Sequence, residues 1–105
     1  MANASQQDLE DIFNRDPKDD ELYKLSRCVG DWWQLAKELR LDDAEVERMR
    51  EDYKSALERC YQVLRTWRNK YYGTAEGKVG FLVLACKQAN VDQDKVKDIF
   101  KIQPR

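Results

Sequence analysis

Four sets of residues in this chain have types and spacings that suit chemistry. Gly73-Thr74-Ala75-Glu76-Gly77-Lys78-Val79 approaches a phosphate-binding loop. That loop needs four residues between its glycines and a hydroxyl after the lysine, because the hydroxyl holds magnesium. Here three residues separate Gly73 from Gly77, and Val79 stands where the hydroxyl belongs. Asp42, Asp43, Glu45 and Glu47 gather carboxylates of the kind that serve acid–base or metal chemistry. They fall at the start of a helix, where carboxylates favour the helix dipole, and no calcium-loop spacing surrounds them. Arg65-Thr66-Trp67-Arg68-Asn69-Lys70-Tyr71-Tyr72 interleaves bases with aromatics, as single-strand nucleic-acid binders do. Trp67 and Tyr71, however, keep register with Cys60 and Leu64 and read as core. Cys28, Cys60 and Cys86 form no CxxC pair and read as thiols of a reducing compartment, with the core as their expected place. Histidine is absent, which removes the commonest general base and zinc ligand. Nothing assembles a nucleophile, a base and an oxyanion site. The sequence therefore predicts no enzyme, no cofactor, no metal and no small-molecule substrate.

Composition narrows the remaining classes. A chain of 105 residues is one domain by size. Hydrophobic residues make up 42%, with three Trp, five Tyr and three Phe, which suits a packed core rather than a disordered chain. Four Gly and two Pro leave few turns for a small β fold. No apolar run approaches the roughly 18 residues that cross a bilayer. The first residues carry neither the basic nor the apolar part of a secretion signal. Net charge is −1, but residues 1–58 hold 16 acids and 9 bases, while residues 59–105 hold 4 and 10. That asymmetry suits a module that docks oppositely charged surfaces better than a binder of nucleic acid.

Helix signals place these residues. Ser5 precedes a short amphipathic piece with Leu9, Ile12 and Phe13. Asp16-Pro17 reads as a break or a new helix start, followed by Leu22, Leu25 and Val29, with Gly30 as the stop. Asp31, Asp42 and Ser55 each begin a capping box, closed by Gln34, Glu45 and Glu58. The Ser55 helix buries Cys60, Leu64, Trp67 and Tyr71 and stops at Gly73. Thr74 reads as the cap of an apolar helix through Val79–Cys86. Asn90 breaks that helix, and Asp92 caps a last one with Val96, Ile99 and Phe100 inside. The result is an all-α chain of six helices with an N-terminal extra. Residues 1–15 read as the extension and 16–103 as the domain.

Several of these residues together resemble the death domain, the six-helix member of the death-fold superfamily. They are Val29-Gly30-Asp31-Trp32, Leu35-Ala36-Lys37-Glu38-Leu39 and Leu41 before an acidic helix. Tyr61-Gln62-Val63-Leu64-Arg65-Thr66-Trp67, the Gly73-Thr74-Ala75 junction and Leu82–Ala85 complete the match. Trp32 and Trp67 separate it from caspase-recruitment and death-effector relatives. The resemblance covers Leu22–Phe100. It implies an antiparallel Greek-key bundle without catalysis that binds other death domains, or itself, in cytoplasmic apoptotic or innate-immune signalling. It further implies a common contact that sets the first and fourth of the six helices against the second and third. Two features depart from the pattern: Trp33 at a position often basic, and the extra segment at residues 1–15.

The implied contact assigns surfaces. Lys24, Arg27, Arg59 and Arg65 form the expected basic patch. Asp42, Asp43, Glu45, Glu47, Glu51 and Asp52 form the acidic one. Trp33 lies about 100° around its helix from the core stripe. It is either an aromatic anchor for a partner or a residue covered by Leu9, Ile12 and Phe13. No membrane insertion is expected. A small nucleic-acid-binding domain using residues 65–72 is the alternative reading.

Overall fold

The computed structural model describes residues 6–102, and residues 6–9 through their backbone alone. Seven α-helices run in order: α1 (Gln6–Asn14), α2 (Asp19–Ser26), α3 (Trp32–Glu38), α4 (Asp43–Asp52), α5 (Ala56–Lys70), α6 (Val79–Gln88) and α7 (Gln93–Phe100), with a 3-10 turn at Ala75–Gly77 before α6. The expected cap at Ser5 and the side chain of Leu9 lie outside the described residues.

Local chemistry sets most helix starts. Asp31 accepts the Gln34 N–H at 3.0 Å, Ser55 Oγ accepts the Glu58 N–H at 3.0 Å, and Asp92 accepts the N–H groups of Asp94 and Lys95. Each satisfies an amide that the helix leaves without an internal partner. Glu45 closes its box on the Asp42 N–H at 3.3 Å.

Three helix ends repeat one device. Arg40, Asn90 and Lys101 take left-handed φ values of 64°, 63° and 58°. The next residue, Leu41, Val91 or Ile102, turns inward and donates its N–H to the carbonyl of Ala36, Cys86 or Lys97. This is the Schellman arrangement, and its aliphatic follower is buried each time. Burial of that follower offsets the strain of a side chain in the left-handed region.

α5 is the axis of the bundle. It buries Cys60, Val63, Leu64 and Trp67. α2 runs antiparallel beside it: Arg68 meets Asp19 near one end, and Tyr61 meets Tyr23 edge-on further along. α3 and α4 pack on α5, α7 packs on α2 and α6, and α6 is covered by α3, α7 and α1. That threefold cover accounts for most of the apolar surface of α6, while Leu84 stays exposed. Phe13 of α1 lies where a Cβ on Gly80 would reach, at 3.3 Å, and Arg15 accepts the Val79 N–H at 2.9 Å.

Several local expectations need correction. α2 ends at Ser26, so Val29 belongs to the following loop and is only half-buried, and Gly30 does not take a left-handed φ. α2 starts after Lys18, with Glu21 accepting the Lys18 N–H at 2.9 Å, and Pro17 is buried in the link. Thr74 precedes the 3-10 turn rather than α6, and its hydroxyl donates to the Tyr71 carbonyl. A side chain at Gly77 would collide with that same carbonyl, so the 3-10 turn before α6 requires glycine there. Tyr71 is half-buried, as is Cys28, while Cys60 and Cys86 lie in the core.

Candidate protein-interaction site

The four bases expected to form one patch take two different roles. Lys24 and Arg27 are exposed on α2 and border an open groove with Asp94, Lys95 and Asp98 of α7. Their side chains form no ion pair or hydrogen bond among the described residues. Arg59 is held inside the bundle's own wiring. Its Nε donates to the Tyr53 carbonyl at 2.6 Å and its Nη2 to the Arg50 carbonyl at 2.9 Å. It thereby ties the end of α4 to the start of α5, and its guanidinium lies 5.8 Å over the Trp32 ring. Arg65 lies 5.7 Å over the Tyr61 ring, with its Nε buried and without a hydrogen-bond partner.

The acidic set divides in a similar way. Asp42 precedes α4, and the 100° step of a helix sends the others to different flanks. Asp43 and Glu47 share a stripe with Arg50. Glu45 and Asp52 turn the other way and, with Arg48, border a hollow against Gln62 and Thr66 of α5. Glu51 points outward between them. Glu45 is half-buried and accepts from Lys70 Nζ at 3.2 Å, a contact that raises the Lys70 pKa. Asp43, Glu47 and Glu51 are exposed, and Glu47 comes no nearer than 4.0 Å to Arg50.

Trp33 is half-buried, and Arg50 provides its cover, with the guanidinium 4.7 Å from the ring centroid. The tryptophan also meets Trp32 edge-on at 5.5 Å. Helix α1, part of the N-terminal segment read as the alternative cover, packs on α6. Arg50, Trp33, Trp32 and Arg59 thus close a circuit linking α3, α4 and α5. Sequence reasoning missed Arg50 because it sits in a run of acids. Its only sequence signal is a base that shares a helix stripe with two carboxylates.

The basic–aromatic segment at residues 65–72 is divided: Trp67 is in the core, Asn69, Lys70 and Tyr72 are exposed, and two of its bases are paired within the bundle. Trp67 is fully buried and stacks on Phe81, Arg68 pairs with Asp19 at 2.6 Å, and Lys70 pairs with Glu45. Tyr72 is the segment's exposed aromatic. The near-phosphate loop forms the turn and the 3-10 segment, and its last amide, from Val79, is taken by Arg15.

These faces sit on helices in the order and packing of a six-helix bundle, with α1 added in front. A family model for the death domain matches residues 19–100. The chain belongs to the death domain family. Comparison with curated proteins and with solved structures returned no match. Death domains are non-catalytic modules of signalling proteins that bind other death-fold domains. The matched stretch begins at the first residue of α2 and ends at the last of α7, so α1 lies outside it yet packs against it. Among the described residues, no helix is long and apolar enough to cross a membrane.

Proposed function

We propose that this death domain is a non-enzymatic assembly module. It acts in the cytoplasm within an apoptotic or innate-immune signalling complex and associates with other death domains, including copies of itself. The domain spans residues 16–103, and residues 1–15 are an extension whose helix α1 packs on α6. Lys24 and Arg27 supply the basic face on α2. Asp43, Glu47 and Glu51 supply the acidic face on α4, with Asp42, Glu45 and Asp52 at its margin. Arg59 and Arg65 support these faces from behind, and Trp33 lies beside the acidic face under Arg50.

One observation carries the reading. The exposed bases of α2 and the exposed acids of α4 stand on separate helices of one chain, with no ion pair between the two groups among the described residues. Unspent opposite charges on separate faces favour a head-to-tail contact, which does not close on itself and so propagates. Such charges steer encounter and fix orientation more than they add affinity.

Sedimentation of the chain across concentration, at low and at high salt, tests this. Mass should grow with concentration at low salt and fall back at high salt, because exposed charges are screened. Growth that salt leaves unchanged contradicts a charge-driven contact.

A further inference from the structure

Leu84 of α6 is the one aliphatic residue among the exposed large hydrophobic side chains of the described residues, at 54% exposure. A single exposed leucine needs no explanation on a protein surface. This one stands at the edge of a hollow of about 280 Å³ between α3 and α6. Phe81 and Ala85 line the α6 side with it, and Lys37, Glu38 and Arg40 line the other. The spacing i, i+3, i+4 sets Phe81, Leu84 and Ala85 on one stripe. Pockets that enclose a small ligand start at about 300 Å³. This hollow is smaller and open to solvent, so it suits the side chains of a docked element.

The charges at its rim are free in one sign only. Glu38 accepts from Gln34 Nε2 at 2.9 Å. Lys37 and Arg40 are exposed, and their side chains form no ion pair among the described residues. Arg40 is fixed at the rim by its place in the turn after α3, and its guanidinium lies 5.5 Å from the centroid of the Phe81 ring. A guanidinium stacked on an aromatic keeps its outward N–H edge ordered for a carboxylate.

On its neighbouring flank α6 shows what kind of element it accepts. α1 packs there, an amphipathic helix with three acids, Asp8, Glu10 and Asp11, and no base. It sets Phe13 against Gly80, one turn before Leu84 and about 40° around the helix from it. The apolar strip of α6 thus runs from a seat that α1 fills to a leucine that stays exposed.

We infer that the α3–α6 hollow docks an acidic amphipathic helix of a separate partner protein. An aliphatic or aromatic side chain of that helix seats against Phe81, Leu84 and Ala85, and its carboxylates meet Lys37 and Arg40. Helices bind apolar grooves in this way, through anchors one turn apart. The site uses neither the α2 face nor the α4 face and does not depend on self-association.

Fluorescence anisotropy with the full chain tests this. The probe is a labelled helix-forming peptide of about 15 residues, with leucine at i, i+3, i+4 and i+7 and glutamate on both flanks. Wild type should bind it at least about tenfold more tightly than the same peptide with lysine in place of glutamate. Leu84→Ala should weaken binding about fivefold. Lys37→Gln with Arg40→Gln should weaken it about threefold to tenfold and flatten its salt dependence. All variants should keep the far-UV helical signal of wild type, since the three positions are exposed. No binding by wild type, equal binding of both peptides, or binding that these variants leave unchanged overturns the proposal. Loss in Lys24→Gln with Arg27→Gln instead would place the peptide on α2 and overturn it too. Self-association weakened by Leu84→Ala in sedimentation would make a second copy the occupant. Binding of phosphatidylserine–phosphatidylcholine vesicles that the hollow variants abolish, without peptide binding, would make it an anionic membrane. Either of these results overturns the partner helix.

Discussion

Arg59 Nε donates to the Tyr53 carbonyl at 2.6 Å, so a base expected on a binding face is a fastener between α4 and α5. With the second bond to the Arg50 carbonyl, it satisfies two acceptors at a helix end. Arg59→Gln should cost about 2 kcal/mol of stability, as expected for losing charge-assisted hydrogen bonds. Urea denaturation reads this directly. Unchanged stability with lost self-association would instead make Arg59 a contact residue.

The link between α1 and α2 carries a pH dependence. Burial by itself would push the Glu21 carboxyl up. Hydrogen bonds from Arg15 and the Lys18 N–H, with the charges of both residues, outweigh that and hold it below its ordinary value of 4.5. A group lowered in the native state stabilises the fold fully above its unfolded pKa and loses that contribution as pH falls through the native value. Wild type should therefore lose stability more steeply than Glu21→Gln between about pH 5 and about pH 2. Parallel stability curves for the two proteins would contradict this.

Thiol reactivity should distinguish the three cysteines. Burial pushes Cys60 and Cys86 up to about 12, so neither supplies a reactive thiolate near neutral pH. Cys28 is half-exposed beside the α2–α7 groove. A disulfide-forming reagent should modify Cys28 alone in the folded protein and all three after denaturation. Rapid modification of Cys60 or Cys86 in the native state would mean that the core opens around α5 and α6.

Lys101 ends α7 in the left-handed region at φ 58°, and its side chain is exposed. Glycine adopts that conformation without the steric cost of a Cβ, although it also adds freedom to the unfolded chain. Lys101→Gly should raise stability by roughly 0.5–1 kcal/mol. A thermal midpoint that falls instead would show that the lysine side chain holds a contact outweighing the strain.

The sequence made the helices legible wherever the signal was local. Asp31, Ser55 and Asp92 cap where spacing placed them, and Gly73, at φ 85°, stops the chain after α5. Buried Leu22, Leu35, Leu64, Trp67 and Val96 follow the apolar stripes. What spacing could not show is contact between distant segments. Arg68 reaches back 51 residues to the Pro17 carbonyl, and Arg59 reaches over a helix boundary to Tyr53 and Arg50. On a helical wheel both arginines look solvated. The α3 and α7 ends were obscured for a related reason, because Arg40 and Lys101 occupy positions where glycine is the usual signal, whereas Asn90, which takes the left-handed region more readily, marked the end of α6. The charged faces were half legible. Residue types gave their signs, but only packing shows which bases are spent inside the bundle and which remain for a partner.

The head-to-tail contact is tested most directly by mixing two variants, each neutralised on one face. Lys24→Gln with Arg27→Gln removes the α2 face, and Asp43→Asn with Glu47→Gln removes the α4 face. Neutral substitutions avoid creating a new attractive pair. Sedimentation at low salt should find each variant monomeric alone, and the mixture should form a one-to-one dimer that grows no further, because each partner retains one working face. Chains longer than a dimer in the mixture, or no dimer while wild type associates under the same conditions, would contradict a contact between α2 of one copy and α4 of the next.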